Sequence, residues 1–209
     1  MDGTLLNSDK TLSEENLNAI LKLREAGGKF VVSTGRVMQA TRHYFEPVGV
    51  DFPVILSNGG MIYDCHENKV MWSEYLPEGS SRKMVSELLE KFPDACAEIC
   101  TPEHIYDVRI NEQERIHWKK GGFTAEIMES LDDVPDGSWC KVLFAMPEEL
   151  IEPFAAFAQT LHDAADVEFI TSSTIFHEML PKNCSKGSAM KKLLRLYGAE
   201  NAFTVAMGD

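Results

Sequence analysis

Two short apolar runs, KFVVS at 29–33 and PVILS at 53–57, each end in a polar segment that carries glycine. The first runs into Thr34-Gly35-Arg36 and the second into Asn58-Gly59-Gly60, with one stretch of helical length, 37–46, between them. Strands that are apolar throughout, joined through a helix, belong to a parallel sheet covered on both faces. A helix is expected ahead of them. Thr11 or Ser13 can cap it, and Glu14 and Glu15 sit in its first turn, where the helix dipole favours negative charge. Leu17, Ile20, Leu21 and Ala26 recur at helical spacing before Gly27-Gly28 ends the segment. Near the end of the chain a helix is expected over 186–197, with Met190, Leu193, Leu194 and Tyr197 on one face. A further buried strand, AFTVAM at 202–207, then leads into Gly208-Asp209.

The rhythm changes after Met61. A hairpin is expected from 61–63 and 69–72, then a helix over 81–91 and strands at 95–101, 104–108 and 139–146. A helix over 148–164 and strands at 167–171 and 175–180 complete this α+β stretch, and 181–185 reads as the return linker. The expected fold class is α/β: a Rossmann-like parallel-sheet core domain formed by residues 1–76 and 183–209, interrupted by an α+β domain over 77–182. An insert of roughly 100 residues is the size of an ordinary domain.

Charge and cysteine usage narrow the function. Lys and Arg total 20 against 33 Asp and Glu, for a net charge of −13, and no basic stripe is present. Such a surface repels phosphate backbones, so nucleic acid is not an expected partner. Cys65, Cys96, Cys100, Cys140 and Cys184 are odd in number and irregular in spacing, which fits reduced thiols in a cytoplasmic protein. The spacing of Cys96, Cys100 and His104 does not match a zinc motif and reads as a strand with buried thiols. No leader pattern is expected, and no apolar run approaches the ~20 residues of a membrane span. The basic spot Trp118-Lys119-Lys120-Gly121-Gly122 reads as a solvated loop; the alternative is a loop that touches substrate. Oligomeric state does not follow from the sequence.

In open parallel sheets, ligands bind beyond the carboxyl ends of the strands. Asp2-Gly3-Thr4 opens the chain, Thr34-Gly35 follows one strand, Gly208-Asp209 follows the last, and Lys186 starts a helix just after the insert. These supply carboxylates for a hard cation, a hydroxyl and amides for anion oxygens, and one fixed positive charge. Phosphoryl transfer needs that equipment, because its transition state spreads charge over three equatorial oxygens. Asn58, beside the strand ends, is placed to touch a substrate.

These segments resemble the motifs of the haloacid dehalogenase (HAD) superfamily. MDGTLLN at 1–7 resembles the end of the first motif, Asp-x-Asp-Gly-Thr, and STGR at 33–36 the second. KGSA at 186–189 is similar to the third, and VAMGD at 205–209 to the opening of the fourth, Gly-Asp-x-x-Asn-Asp. SNGG at 57–60 and HEMLP at 177–181 resemble the Cof-type subfamily, whose type 2 cap is inserted between the second and third motifs. The resemblance runs along the whole chain, with the motifs in order.

The resemblance implies a Mg²⁺-dependent phosphatase that forms an aspartyl-phosphate on a small phosphorylated metabolite, with sugar phosphates foremost. Asp2 would be the general acid and base and a Mg²⁺ ligand, and Asp209 a second ligand. Thr34 and Gly35 would bind phosphate, and Lys186 would neutralise it. The insert would act as a cap that closes over the sheet domain and selects the leaving group, with His177 a cap or hinge contact. The nucleophilic Asp falls immediately before Met1, and the rest of the fourth motif beyond Asp209. The resemblance therefore implies a chain truncated at both ends, with weak metal binding and little turnover as written. The alternatives are a phosphomutase of the same superfamily and a catalytically silent protein that binds phosphorylated ligands.

Overall fold

The computed structural model describes all 209 residues except Asp2, Asp51 and Asp209, and of Glu46 and Pro47 only the backbone. The chain divides into two compact units: Met1–Ser73 with Ser185–Asp209, and Glu74–Cys184.

In the first unit, α1 (Glu14–Glu25) starts at Ser13, whose hydroxyl accepts from the Asn16 amide at 3.1 Å. Residues 37–41, expected in a helix, form turns instead, and α2 spans Arg42–Val48. The Thr41 hydroxyl donates to the Val37 carbonyl at 2.9 Å and so ties down the turn that leads into α2. Next come β1 (Val54–Leu56), β2 (Met61–Asp64) and β3 (Lys69–Ser73), an antiparallel sheet in that order. The strand expected at 29–33 is reduced to one parallel bridge between Ser33 and Ile55. Ile55 donates to the Val32 carbonyl (2.8 Å) and Thr34 donates to the Ile55 carbonyl (2.9 Å). A strand is defined by its ladder, and two bonds to one neighbour do not sustain it.

The second unit opens with α3 (Ser80–Lys91), followed by β4 (Cys96–Cys100), β5 (Ile105–Val108), α4 (Glu112–Gly121) and β6 (Glu126–Met128). β7 (Lys141–Ala145), α5 (Glu148–Ala158), β8 (Val167–Ser173) and β9 (Phe176–Pro181) complete it. The six strands form one sheet in the order β6-β5-β4-β7-β9-β8, antiparallel except for β5 with β6. Side chains alternate between the faces. Ala97, Ile99, Val142, Phe144 and Met179 pack on one face with Met84, Leu88 and Phe154 from α3 and α5. His177 shares that face, edge-on to Phe154 and stacked on Phe169, with Nδ1 3.0 Å from the Thr171 hydroxyl. It is a core residue of this unit.

The opposite face carries buried acids beside a small apolar cluster of Cys96, Leu143 and Ala145. Register pairs Glu98 with Asp107 on one side and with Leu143 on the other, and Leu143 with Glu178. Buried Lys141 donates to Glu178 at 3.0 Å. Burial, with the charge of Glu98 next, pushes the carboxyl of Asp107 up to about 8 and that of Glu114 up to about 11. Helix α4 lies at this face. Its N-cap Asn111 accepts from the Glu114 amide (2.9 Å) and donates to the Ala145 carbonyl (2.7 Å). The segment 118–122, expected as a loop, is the last turn of α4 and its cap. Lys119 and Lys120 complement the helix dipole there, and Gly122 takes the left-handed conformation, φ 68°.

The chain then re-enters the first unit as α6 (Lys186–Leu196). Ala189 and Leu193 pack against Ile55 and Ile62. The expected strand at 202–207 is not formed. Phe203, Val205 and Met207 are exposed, and no strand pairs with this segment among the described residues. Among the described residues, no helix is long and apolar enough to cross a membrane.

Removing one member of a buried ion pair leaves a bare charge, which costs about 3–5 kcal/mol. Glu178→Ala should therefore lower the denaturation midpoint of the second unit steeply, because it strands Lys141. A double variant, Lys141→Met with Glu178→Leu, should recover most of the loss. Equal losses in the two variants would show that the pair is not what matters.

Candidate active site

The polypeptide leaves β1 through three consecutive residues with positive φ: Ser57 (50°), Asn58 (56°) and Gly59 (101°). The first two carry side chains in a region that residues other than glycine seldom occupy, at a cost of roughly 1–3 kcal/mol each. Backbone bonds hold them there. Ser57 donates to the Arg36 carbonyl (3.0 Å), Asn58 to the Thr34 carbonyl (3.1 Å) and Gly60 to the Ser57 carbonyl (2.9 Å). The turn after β1 is thereby stitched to Thr34-Gly35-Arg36.

Two glycines set how closely the segments approach. A Cβ on Gly35 would stand 2.5 Å from Oδ1 of Asn58, so the Asn58 carboxamide lies directly over Gly35. A Cβ on Gly59 would stand 2.2 Å from the Ser185 carbonyl oxygen and 2.8 Å from the Lys186 nitrogen. The first turn of α6 therefore rests on the backbone at Gly59. Ser185 caps α6 through its hydroxyl, which accepts from the Ser188 amide at 3.0 Å, while the Ser188 hydroxyl accepts from the Ser185 amide at 2.9 Å.

Thr34, Gly35, Asn58 and Lys186 are thus gathered by direct contacts from three separate stretches of chain. Thr34 is buried and its hydroxyl accepts from the Arg36 amide at 3.2 Å. Lys186 is exposed at the start of α6, where unpaired helix amides favour an anion. Asp2 and Asp209 lie outside the described residues. Their neighbours are described: Gly3 has φ 68°, and Gly208 is exposed. Two further hydroxyls went unread in the sequence. Ser33 Oγ and Ser57 Oγ are buried without a hydrogen-bond partner among the described residues. Only their place beside the strand ends could have marked them. A hydroxyl, a carboxamide and the first turn of α6, which carries Lys186, in one neighbourhood suit a small anion.

An α/β unit interrupted by a second unit with its own, mostly antiparallel sheet is the frame in which these residues meet. The model of the haloacid dehalogenase-like hydrolase family matches residues 1–209, and the chain belongs to that family. Phosphatase YwpJ of Bacillus subtilis is similar, 28% identical over 242 residues that cover 100% of this chain and 81% of the relative. HMP-PP phosphatase of Yersinia pseudotuberculosis is 27% identical over 213 residues, 100% of this chain and 75% of its own. The solved structure of BT4131, a HAD subclass IIB sugar phosphatase, matches with a TM-score of 0.79 at 16% identity, covering 95% of this chain and 74% of that one. The α/β class expected from the sequence, with an inserted second unit, is the fold these neighbours share.

Gly59→Ala should destabilise the first unit by more than about 1 kcal/mol, because its φ and its contact with Ser185 both oppose a Cβ. Gly187→Ala is the contrast. Its Cβ would meet only Ser185 Oγ at 3.9 Å, inside α6, and should be neutral or stabilising. Thermal melts of the two variants compare them directly, and equal midpoints would contradict the packing at Gly59.

Proposed function

We propose that this chain hydrolyses phosphomonoesters of small metabolites, with sugar phosphates as the first class to test. The meeting of Thr34-Gly35, Asn58 and Lys186 at one end of β1 carries the reading. A phosphoryl group in transfer is stabilised by charge and donors fixed in advance. Lys186 supplies the charge. The Thr34 hydroxyl and the Gly35 amide donate to phosphoryl oxygens, and the Asn58 carboxamide orients the rest of the substrate. The names of the relatives, a phosphatase and an HMP-PP phosphatase, and of the neighbouring sugar phosphatase support the same chemistry.

Asp2 is assigned the proton transfers: its carboxyl protonates the leaving oxygen, then takes a proton from the attacking water. Asp2 and Asp209 form an all-oxygen donor set, which fits a hard ion such as Mg²⁺. When bound, that ion neutralises phosphoryl charge. The aspartyl-phosphate route needs a carboxylate nucleophile; the motif resemblance puts it directly before Met1. The core role is assigned to residues 1–76 and 183–209, and the choice of leaving group to 77–182.

The test is phosphate release from a panel of sugar phosphates and other small phosphomonoesters, with and without Mg²⁺, by a chain that carries an aspartate directly before Met1. Release should require Mg²⁺, and Lys186→Ala should lower kcat/KM by about 10²-fold or more. Asp2→Asn should fall at least as far. Undiminished release in either variant rejects the site. An isomeric sugar phosphate in place of free phosphate would make the enzyme a mutase, and tight binding without turnover would make it a silent binding protein.

A further inference from the structure

The acid-bearing face of the six-stranded sheet holds a cluster that the proposed chemistry does not use. Cys96 and Glu98 project from β4, Asp107 from β5, and Glu114 and His117 from α4. Ligand atoms of Cys96, Asp107 and Glu114 lie within 4.8 Å of one another, and so do those of Glu98, Glu114 and His117. Glu114 belongs to both sets. Cys96, Asp107 and Glu114 are 0% exposed and Glu98 is 2% exposed. Both carboxylate oxygens of Asp107, both of Glu114 and Oε2 of Glu98 lack a hydrogen bond among the described residues.

Buried carboxylates need a counter-charge or protons. The ammonium nearest in the sheet, Lys141, is engaged by Glu178 at 3.0 Å. His117 Nε2 stands 3.7 Å from Glu98 Oε2, beyond hydrogen-bond distance. Trp118 Nε1 is buried without a hydrogen bond of normal geometry, so its pull on Asp107 is partial. Asp107 and Glu114 therefore keep carboxylate oxygens without a hydrogen bond among the described residues, while Glu98 is met by His117 at ion-pair distance. Protons shared between the acids would meet the charge requirement. They would give no reason for the Cys96 thiol to face Asp107 and Glu114. Sulfur with carboxylate oxygen, and an imidazole on the other side of Glu114, are donors for a borderline divalent metal, not for Mg²⁺ or Ca²⁺.

We propose that the unit Glu74–Cys184 binds one divalent ion of the zinc type, with Cys96, Asp107 and Glu114 as ligands and the fourth donor from the Glu98–His117 side. The ligands come from two strands and one helix, so the site exists only when α4 is packed on the sheet. Metal binding is then coupled to the folding of α4. His117, with a side chain 26% exposed, forms the rim through which the ion reaches the buried ligands. This site is independent of the phosphatase reading, because no residue is shared with it.

The experiment titrates the full chain with Co²⁺ and follows the optical spectrum, then adds Zn²⁺. One Co²⁺ per chain should give the intense visible bands of tetrahedral cobalt and a thiolate-to-cobalt charge-transfer band, both removed by Zn²⁺. Cys96→Ser should abolish the charge-transfer band and keep the visible bands. Glu114→Gln should weaken Co²⁺ binding by about tenfold or more. Cys65→Ser should change neither. Zn²⁺ should also raise the thermal midpoint of the unmodified chain, a readout that does not depend on any variant folding. A chain with no charge-transfer band and no Zn²⁺-dependent midpoint overturns the proposal. So does a band that survives Cys96→Ser, or a Glu114→Gln variant that is more stable than the parent and indifferent to Zn²⁺, which is the behaviour of acids sharing protons.

Discussion

The first unit hangs on one close contact, the backbone of Gly59 against the backbone of Ser185 and Lys186. Residues from before and after the stretch 74–184 meet there, so this contact rejoins the unit across its interruption. The attraction comes from Ala189 and Leu193, which bury against Ile55 and Ile62; a buried leucine contributes roughly 1.5–3 kcal/mol. The helix can come close enough to bury them only because position 59 carries no side chain. The Ser185–Ser188 cap fixes where α6 begins, and so Lys186 stands at the turn rather than a residue to either side. Backbone strain at Ser57 and Asn58 persists because bonds to the 34–36 segment over-determine it.

The second unit obeys a different constraint, the register of its sheet. Placing Glu98 opposite Asp107 sets two acids across a strand pair, an arrangement that destabilises a sheet unless something offsets the charge. A slip of one residue would move both acids into the face that holds Phe144 and Phe154, at far greater cost. The apolar face therefore locks the register, and the locked register concentrates the acids on the other face. The Lys141–Glu178 pair deals with one of them on the neighbouring strands and leaves Glu98, Asp107 and Glu114 to another agent.

Much of this was legible because its signals are local. Thr34, Gly35, Asn58 and Lys186 each sit where an apolar run or a helix meets glycine, and such boundaries can be read without partners. Five of the six strands of the second unit are legible for the same reason, since their turns lie within a few residues; β6, three residues long, carries no such signal. The runs at 29–33 and 202–207 have strand-like residues but lack the ladder, and pairing is not a property of the residues that pair. Helix α4 lacks an apolar periodicity for a physical reason: its inward side carries Glu114, His117 and Trp118, which lie beside the acids Glu98 and Asp107. Cys96 was seen beside Cys100 and His104 in sequence, yet its neighbours in space are Asp107 and Glu114, fixed by strand register and helix packing. His104 instead pairs with Glu126 at 2.7 Å on the surface.

The two cation chemistries assigned to this chain do not compete, and the donor atoms explain why. Mg²⁺ holds its water tightly and accepts sites that leave several waters in place. A pocket as closed as the one around Asp107 and Glu114 admits no such shell, and its thiol offers nothing to a hard ion. A zinc-type ion sheds water readily for sulfur and nitrogen, and there it gains what magnesium would lose. The donors proposed for Mg²⁺, Asp2 and Asp209, offer oxygen alone, and a phosphoryl group would add more of it, which is the environment a hard ion prefers. Sorting between the two sites thus follows from burial and donor type, and requires no communication between the units that carry them.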